Sequence, residues 1–321
     1  MKKIWRLWLT SILAVFLLAA CGTTATDDKP EVNATAQEDV VEAAFPVTLT
    51  DAVGNEILFE KAPATIVSMT PSNTEILFAL GLATEIIGVN DYDDYPEEAL
   101  AKEKIGSMQF DVEKIIAMDP EIVFAHESGL GAGENGLQQL RDAGVSVFVV
   151  KNALDFEETY GTIVTIGQAT GKTAEAEKIV ADMKVKVEEV TAKLASVDNE
   201  KTVFVETTPA PEIYTPGNNT FMNQILEMVG AENIAADQED WFIMDPEEIV
   251  NRNPDVIVVM YDYIDTAVED VYKRDGFDSI TAIKNQAVVQ VNENKTSRTG
   301  PRLAEGLEEI AKAIYPEAFD E

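Results

Sequence analysis

The sequence predicts an α/β protein of two similar lobes with largely parallel sheets. Three observations carry that expectation. Short β-branched apolar runs alternate with longer amphipathic runs over roughly the last 275 residues. A segment of the first half recurs in the second at an offset of 134 residues. One long stretch of helical periodicity separates the two copies.

In chain order, Lys2, Lys3 and Arg6 come first, followed by an apolar run from Leu7 to Leu18 and the sequence Leu18-Ala19-Ala20-Cys21-Gly22. A basic start, a short apolar middle and small residues before the cut mark a secretory leader, residues 1–20. The run falls short of the roughly 20 apolar residues that span a bilayer as a helix. Cys21 is the only cysteine, and it stands where a lipobox places the thiol that receives lipid. Residues 21–45 are acidic and polar without an apolar face, which predicts a flexible tether after the lipidated cysteine.

Loss of the leader removes three cations and no acid, leaving 21 cations against 58 anions, a formal charge of −37. That charge argues against nucleic acid or anionic lipid head groups as broad-surface partners, because both need a basic field. With no second cysteine there is no intramolecular disulfide, so stability comes from the core.

The first lobe is expected over residues 46–153, with strands at Thr65 to Ser68, Ile86 to Val89, Glu121 to Ala125 and Val145 to Val150. Residues 154–198 read as helical with a break near Gly171. Ala176, Ile179, Val180, Met183, Val187, Val190 and Leu194 keep helical spacing, and a helix of that length rises about 30 Å, enough to cross between small domains. The second lobe, residues 199–321, has strand candidates at Thr202 to Val205, Asp255 to Met260 and Ala287 to Val291.

The repeat pairs the stretch from Asp111 to Phe124 with that from Asp245 to Val258. Each reads as an Asp N-cap, a glutamate in the first turn (Glu113, Glu247), a short helix, then Pro120 or Pro254 and a buried strand. A fainter echo links Glu75 to Gly81 with Gln224 to Gly230.

In open α/β sheets, ligands sit beyond the carboxyl ends of the strands. The residues to examine are Met69 to Asn73, Tyr92, His126 to Gly129, Thr207 to Pro211, Tyr261 and Tyr263. His126, the only histidine, precedes the glycine-rich stretch Ser128 to Gly133, read as a flexible segment that permits close ligand approach. Its imidazole suits a hydrogen bond or a metal.

Several segments together resemble one family: Asp51-Ala-Val-Gly54, Ile66 to Glu75, Gly88 to Pro96, Asp111-Val-Glu113 and Arg298-Thr-Gly-Pro-Arg302. The chain from about Val47 to Phe319 is similar to the substrate-binding lipoproteins of ABC importers for cobalamin, haem and ferric siderophores. The resemblance implies two Rossmann-like α/β lobes bridged by one long, rigid α-helix, with the ligand in a cleft between them. It implies a monomer, lipid-anchored outside the cytoplasm, that serves a permease dimer with its ATPase subunits and has no cofactor of its own.

Residue by residue, Glu113 and Glu247 fall where the family offers one acid per lobe to permease arginines, a logic that suits a two-fold partner. Tyr92 and Trp241 align with aromatics that pack on a flat macrocycle, a low-entropy way to cover a wide ligand. Arg298 aligns with a residue that reaches into the cleft, where guanidinium suits carboxylate or phosphate; Arg302 is expected to pair within its own lobe. Met108 aligns with a methionine that ligates haem iron in one branch, but that branch's partner histidine is replaced here by Tyr261-Asp262-Tyr263. Cobalamin is the favoured ligand, then haem, then a ferric siderophore.

Other classes fit less well. A serine hydrolase would need a Gly-x-Ser-x-Gly elbow, which is missing. A zinc enzyme would need more than one histidine. The acidic run Asn90 to Glu98 lacks the spacing of an EF-hand, so a calcium-binding reading is also weak.

Overall fold

A computed structural model describes residues 45–319 apart from 196 and 198. The expected leader, Cys21 and all but the last residue of the tether lie outside the described residues.

Two parallel sheets form the centres of two lobes. In the N-terminal lobe five strands run in the order Glu103–Lys104, Ile86–Val89, Ile66–Ser68, Ile122–His126, Val147–Val150. The C-terminal sheet has four, in the order Glu232–Asn233, Thr202–Glu206, Val256–Val259, Val288–Gln290. Every pairing within these two sheets is parallel. Two antiparallel pairs lie outside them, Val47–Thr50 with Glu56–Phe59 and Tyr214–Pro216 with Trp241–Ile243.

Helices Phe156–Thr170 and Thr173–Leu194 join the lobes, and Gly171 ends the first in a left-handed conformation at φ 76°, which glycine adopts without Cβ strain. The longer helix packs against its predecessor on one side and against the C-terminal helix Leu303–Ile314 on the other.

Successive residues of a strand point to opposite faces. Ile122 and Phe124 therefore enter one hydrophobic cluster and Val123 and Ala125 another; Val256 and Val258 share the first cluster, whereas Ile257 and Val259 belong to a third. The first cluster is common to both lobes and includes Ala176, Met183 and Val190 of the bridging helix. A large hinge motion would have to shear this shared, close-packed core.

The repeat is structural. Helices Val112–Met118 and Pro246–Arg252 each begin at an aspartate whose carboxylate accepts a backbone N–H of the first turn, and each ends at a left-handed residue, Asp119 or Asn253. Each is followed by a buried interior strand of its sheet.

Candidate functional site

The carboxyl ends of the two sheets meet at a cavity of about 660 Å³ between the lobes. Thr70, Pro71, Tyr92, Asp94 and His126 line it from the N-terminal lobe, and Phe221, Asp262, Tyr263, Glu293 and Arg298 from the C-terminal lobe. Tyr92 and Tyr263 are 71% and 63% exposed, so broad aromatic surface is left uncovered on both sides.

Trp241 stands on the antiparallel pair beside the cleft, with its ring 5.7 Å from that of Phe221. Phe221 was not singled out from the sequence. It is the first residue of helix Phe221–Met228, and the fainter repeat places it opposite Ser72 in the N-terminal lobe, another lining residue. The repeat was the signal that could have found it.

Tyr261 is turned away from the cavity. It is 1% exposed, and its hydroxyl donates to Glu206 at 2.8 Å in a buried group completed by the Arg274 guanidinium. Burial, with the Glu206 charge behind it, pushes the phenol up. Tyr263, two residues on, is the tyrosine of this loop that lines the cleft.

Arg298 reaches the cleft but is already engaged. It donates to Glu75 Oε1 at 2.9 Å, to Asp94 Oδ1 at 2.8 Å and to the carbonyl of Tyr92 at 3.3 Å, all on the opposite lobe. Burial alone would raise the Asp94 carboxyl, but the Arg298 hydrogen bond and charge and the Asn294 amide together hold it below its ordinary value. The expectation for Arg302 is corrected: it pairs across the lobes with both oxygens of Glu75, at 2.8 and 2.6 Å, and stacks on Tyr95. No acid of its own lobe offers a carboxylate as deeply buried beside it as Glu75, which is 3% exposed.

The glycine-rich stretch after His126 is also corrected. Glu127–Gly129 forms a 3-10 turn and Leu130–Asp142 a helix, so the segment is regular structure. A Cβ on Gly136 would meet the Phe110 ring at 2.6 Å and one on Gly133 at 3.1 Å; these glycines admit an aromatic ring against the helix.

His126 is 7% exposed, and its Nδ1 lies 2.8 Å from the Ser128 hydroxyl. Burial drives its pKa down to about 4, against the opposing charge of Glu127. Met108 is 64% exposed and shares a smaller cavity with His126 inside the N-terminal lobe. Beneath lies Asp93, 1% exposed, accepting from the Thr74 hydroxyl at 2.6 Å and the Asn90 N–H at 2.9 Å; burial pushes it up to about 6 against those bonds.

Glu113 and Glu247 are exposed in the first turns of their equivalent helices. Among the described residues neither has a salt-bridge partner. Among the same residues, no group of three or more His, Cys, Asp or Glu is placed to hold a metal ion, and no helix is long and apolar enough to cross a membrane.

Two parallel-sheet lobes on one shared core, with an aromatic cavity at their seam, define a bilobed solute-binding protein. The family model for periplasmic binding proteins matches residues 66–294. Over its whole length the chain is 43% identical to an uncharacterized ABC transporter substrate-binding lipoprotein of Bacillus subtilis, and that relative is covered completely. The chain belongs to the periplasmic binding protein family. It is also 29% identical to a cobalamin-binding protein of Halobacterium salinarum, over 94% of this chain and 82% of that one. Among solved structures, a possible iron-binding, periplasmic solute-binding protein of Staphylococcus epidermidis is similar at 36% identity and a TM-score of 0.72, covering 79% of this chain and all of that one.

Proposed function

We propose that the protein is an extracytoplasmic lipoprotein, anchored through Cys21, that captures a large cobalt- or iron-containing ligand and delivers it to an ABC importer. In this reading residues 46–153 and 199–321 are the two lobes, residues 154–198 are the bridge, and the monomer docks on a permease dimer with its ATPase subunits through Glu113 and Glu247. The observation that carries it is the wide cleft walled by Tyr92 on one lobe and Tyr263, Phe221 and the adjoining Trp241 on the other. Rings on both walls suit a broad, rigid ligand.

Cobalamin is favoured, because the corrin offers a flat face to the aromatics and amide donors to Asp94, Asp262 and Glu293. The name of the Halobacterium relative supports it. A haem or ferric-siderophore reading is second, supported by the Staphylococcus relative's title and by Met108 and His126 lining one cavity. Titration calorimetry of the purified protein with cyanocobalamin, beside haemin followed at its Soret band, tests the order. Heat with cyanocobalamin and an unmoved Soret band are expected; the opposite pair would reverse it.

A further inference from the structure

We propose that the N-terminal lobe carries a side pocket that receives one uncharged, ring-sized arm of the ligand, held by a hydrogen bond from His126 Nε2. The inference rests on the solute-binding reading and assigns a separate compartment to it.

The pocket has a volume of about 180 Å³, and its apolar wall comes from Met69, Phe110, Ala125 and Leu137. It shares Tyr92 and His126 with the inter-lobe cleft, so a ligand seated in the cleft lies at its mouth. A dry cavity of roughly 150 Å³ holds benzene, which sets the size of the arm. The wall is preformed, because Gly133 and Gly136 let the Phe110 ring lie against their helix.

Its chemistry differs from that of the cleft. The cleft presents Asp94, Asp262, Glu293 and Arg298, whereas no charged side chain lines the pocket. A charged arm would lose its hydration with no partner in exchange. Asn90 is held in place: one N–H of its Nδ2 donates to the Met69 carbonyl at 2.7 Å and its Oδ1 accepts the Tyr92 N–H at 3.0 Å. Thr70 and Ser107 offer half-buried hydroxyls.

His126 is a nearly buried lining group whose outer ring nitrogen is free. The Ser128 backbone N–H donates to its Nδ1 at 3.3 Å, and the Ser128 hydroxyl, 2.8 Å from the same atom, can turn its proton toward it; with Nδ1 accepting from both, the neutral ring carries its proton on Nε2. That atom has no partner among the described residues. In this tautomer Nε2 donates a hydrogen bond, so the arm must bring an acceptor such as a carbonyl or ether oxygen. The low pKa of the ring keeps it neutral at physiological pH.

The only histidine in the chain makes the test direct. Nitrogen-15 NMR of the purified protein should show Nε2 protonated and Nδ1 bare. Benzamide, a ring with a carbonyl, should shift the Nε2 signal saturably, and benzylammonium should not. Gly129→Leu, whose added side chain meets open space at the pocket, should abolish the benzamide shift, as should Leu137→Phe. If cyanocobalamin binds the wild type, both variants should weaken it at least tenfold while unfolding at wild-type temperature. An unmoved His126 signal with benzamide, equal binding of benzylammonium, or unchanged cyanocobalamin affinity in both folded variants would each overturn the pocket. Benzamide binding without cyanocobalamin binding would keep the pocket and remove only the choice of ligand.

Discussion

Arg298 of the C-terminal lobe and Glu75 of the N-terminal lobe meet at 2.9 Å from opposite lobes, 223 residues apart in sequence. Arg302 takes the same carboxylate from a second direction, so one nearly buried acid ties two guanidinium groups to the opposite lobe. Asp94 supplies the second negative charge and is itself held by Asn294. The clamp and the shared core under the bridging helix both join the two lobes.

Glu75→Ala should therefore be costly. It leaves two largely buried cations without their common partner, and breaking such a pair from one side costs about 3–5 kcal/mol. Urea unfolding of the variant should show a loss of that order. A loss below about 1 kcal/mol would mean that the clamp contributes little.

The pH dependence of stability should contain two opposing slopes. Asp93 has a folded pKa of about 6 against an ordinary 3.8, so the fold binds its proton more readily than the unfolded chain does, and stability falls as pH rises from about 4 to 6. His126, at about 4 against 6.5, acts oppositely: the unfolded chain binds the proton, and stability falls as pH drops through the same range. Each effect is on the order of 2–3 kcal/mol. Relative to wild type, Asp93→Asn should lose stability on acidification from pH 6.5 to 4.5 and His126→Gln should gain it. Urea unfolding across that range checks the signs; slopes of the same sign in both variants would contradict the assignment.

Trp241 should report ligand. Trp5 and Trp8 fall within residues 1–20, so in protein purified without those residues Trp241 is the only tryptophan. Cyanocobalamin, which absorbs in the visible and near ultraviolet, should quench its emission. Trp241→Ala and Tyr92→Ala should each weaken binding by about 1–3 kcal/mol, the range of a buried aromatic anchor. Quenching by haemin and none by cyanocobalamin would move the ligand to the second reading.

Transport should separate from binding. Glu113→Ala combined with Glu247→Ala alters two exposed side chains, so stability should change by no more than about 1 kcal/mol in total and ligand affinity should be unchanged. Uptake of labelled cyanocobalamin by cells that depend on this protein should be abolished. Wild-type uptake in the double variant would remove the docking role.

Whatever depends on neighbours along the chain is legible in the residues alone. Strand Ile86–Val89 falls where its β-branched run predicts, the helical break falls at Gly171, and the aspartate caps and glutamates of the two repeated helices stand at equivalent positions. These features follow from backbone propensity, capping and periodicity, which act over a few residues. Which side chains face the cleft depends on packing between distant segments. Tyr261 and Tyr263 are equally plausible from sequence, yet Glu206 and Arg274 draw Tyr261 into a buried network while Tyr263 stays in the cavity. Arg302 belongs to Glu75 only because the shared core brings the lobes together. The Phe110 ring makes a pocket wall only because two glycines on a distant helix admit it. Such pairings join residues far apart in the chain, and they form only when packing has fixed both partners in space.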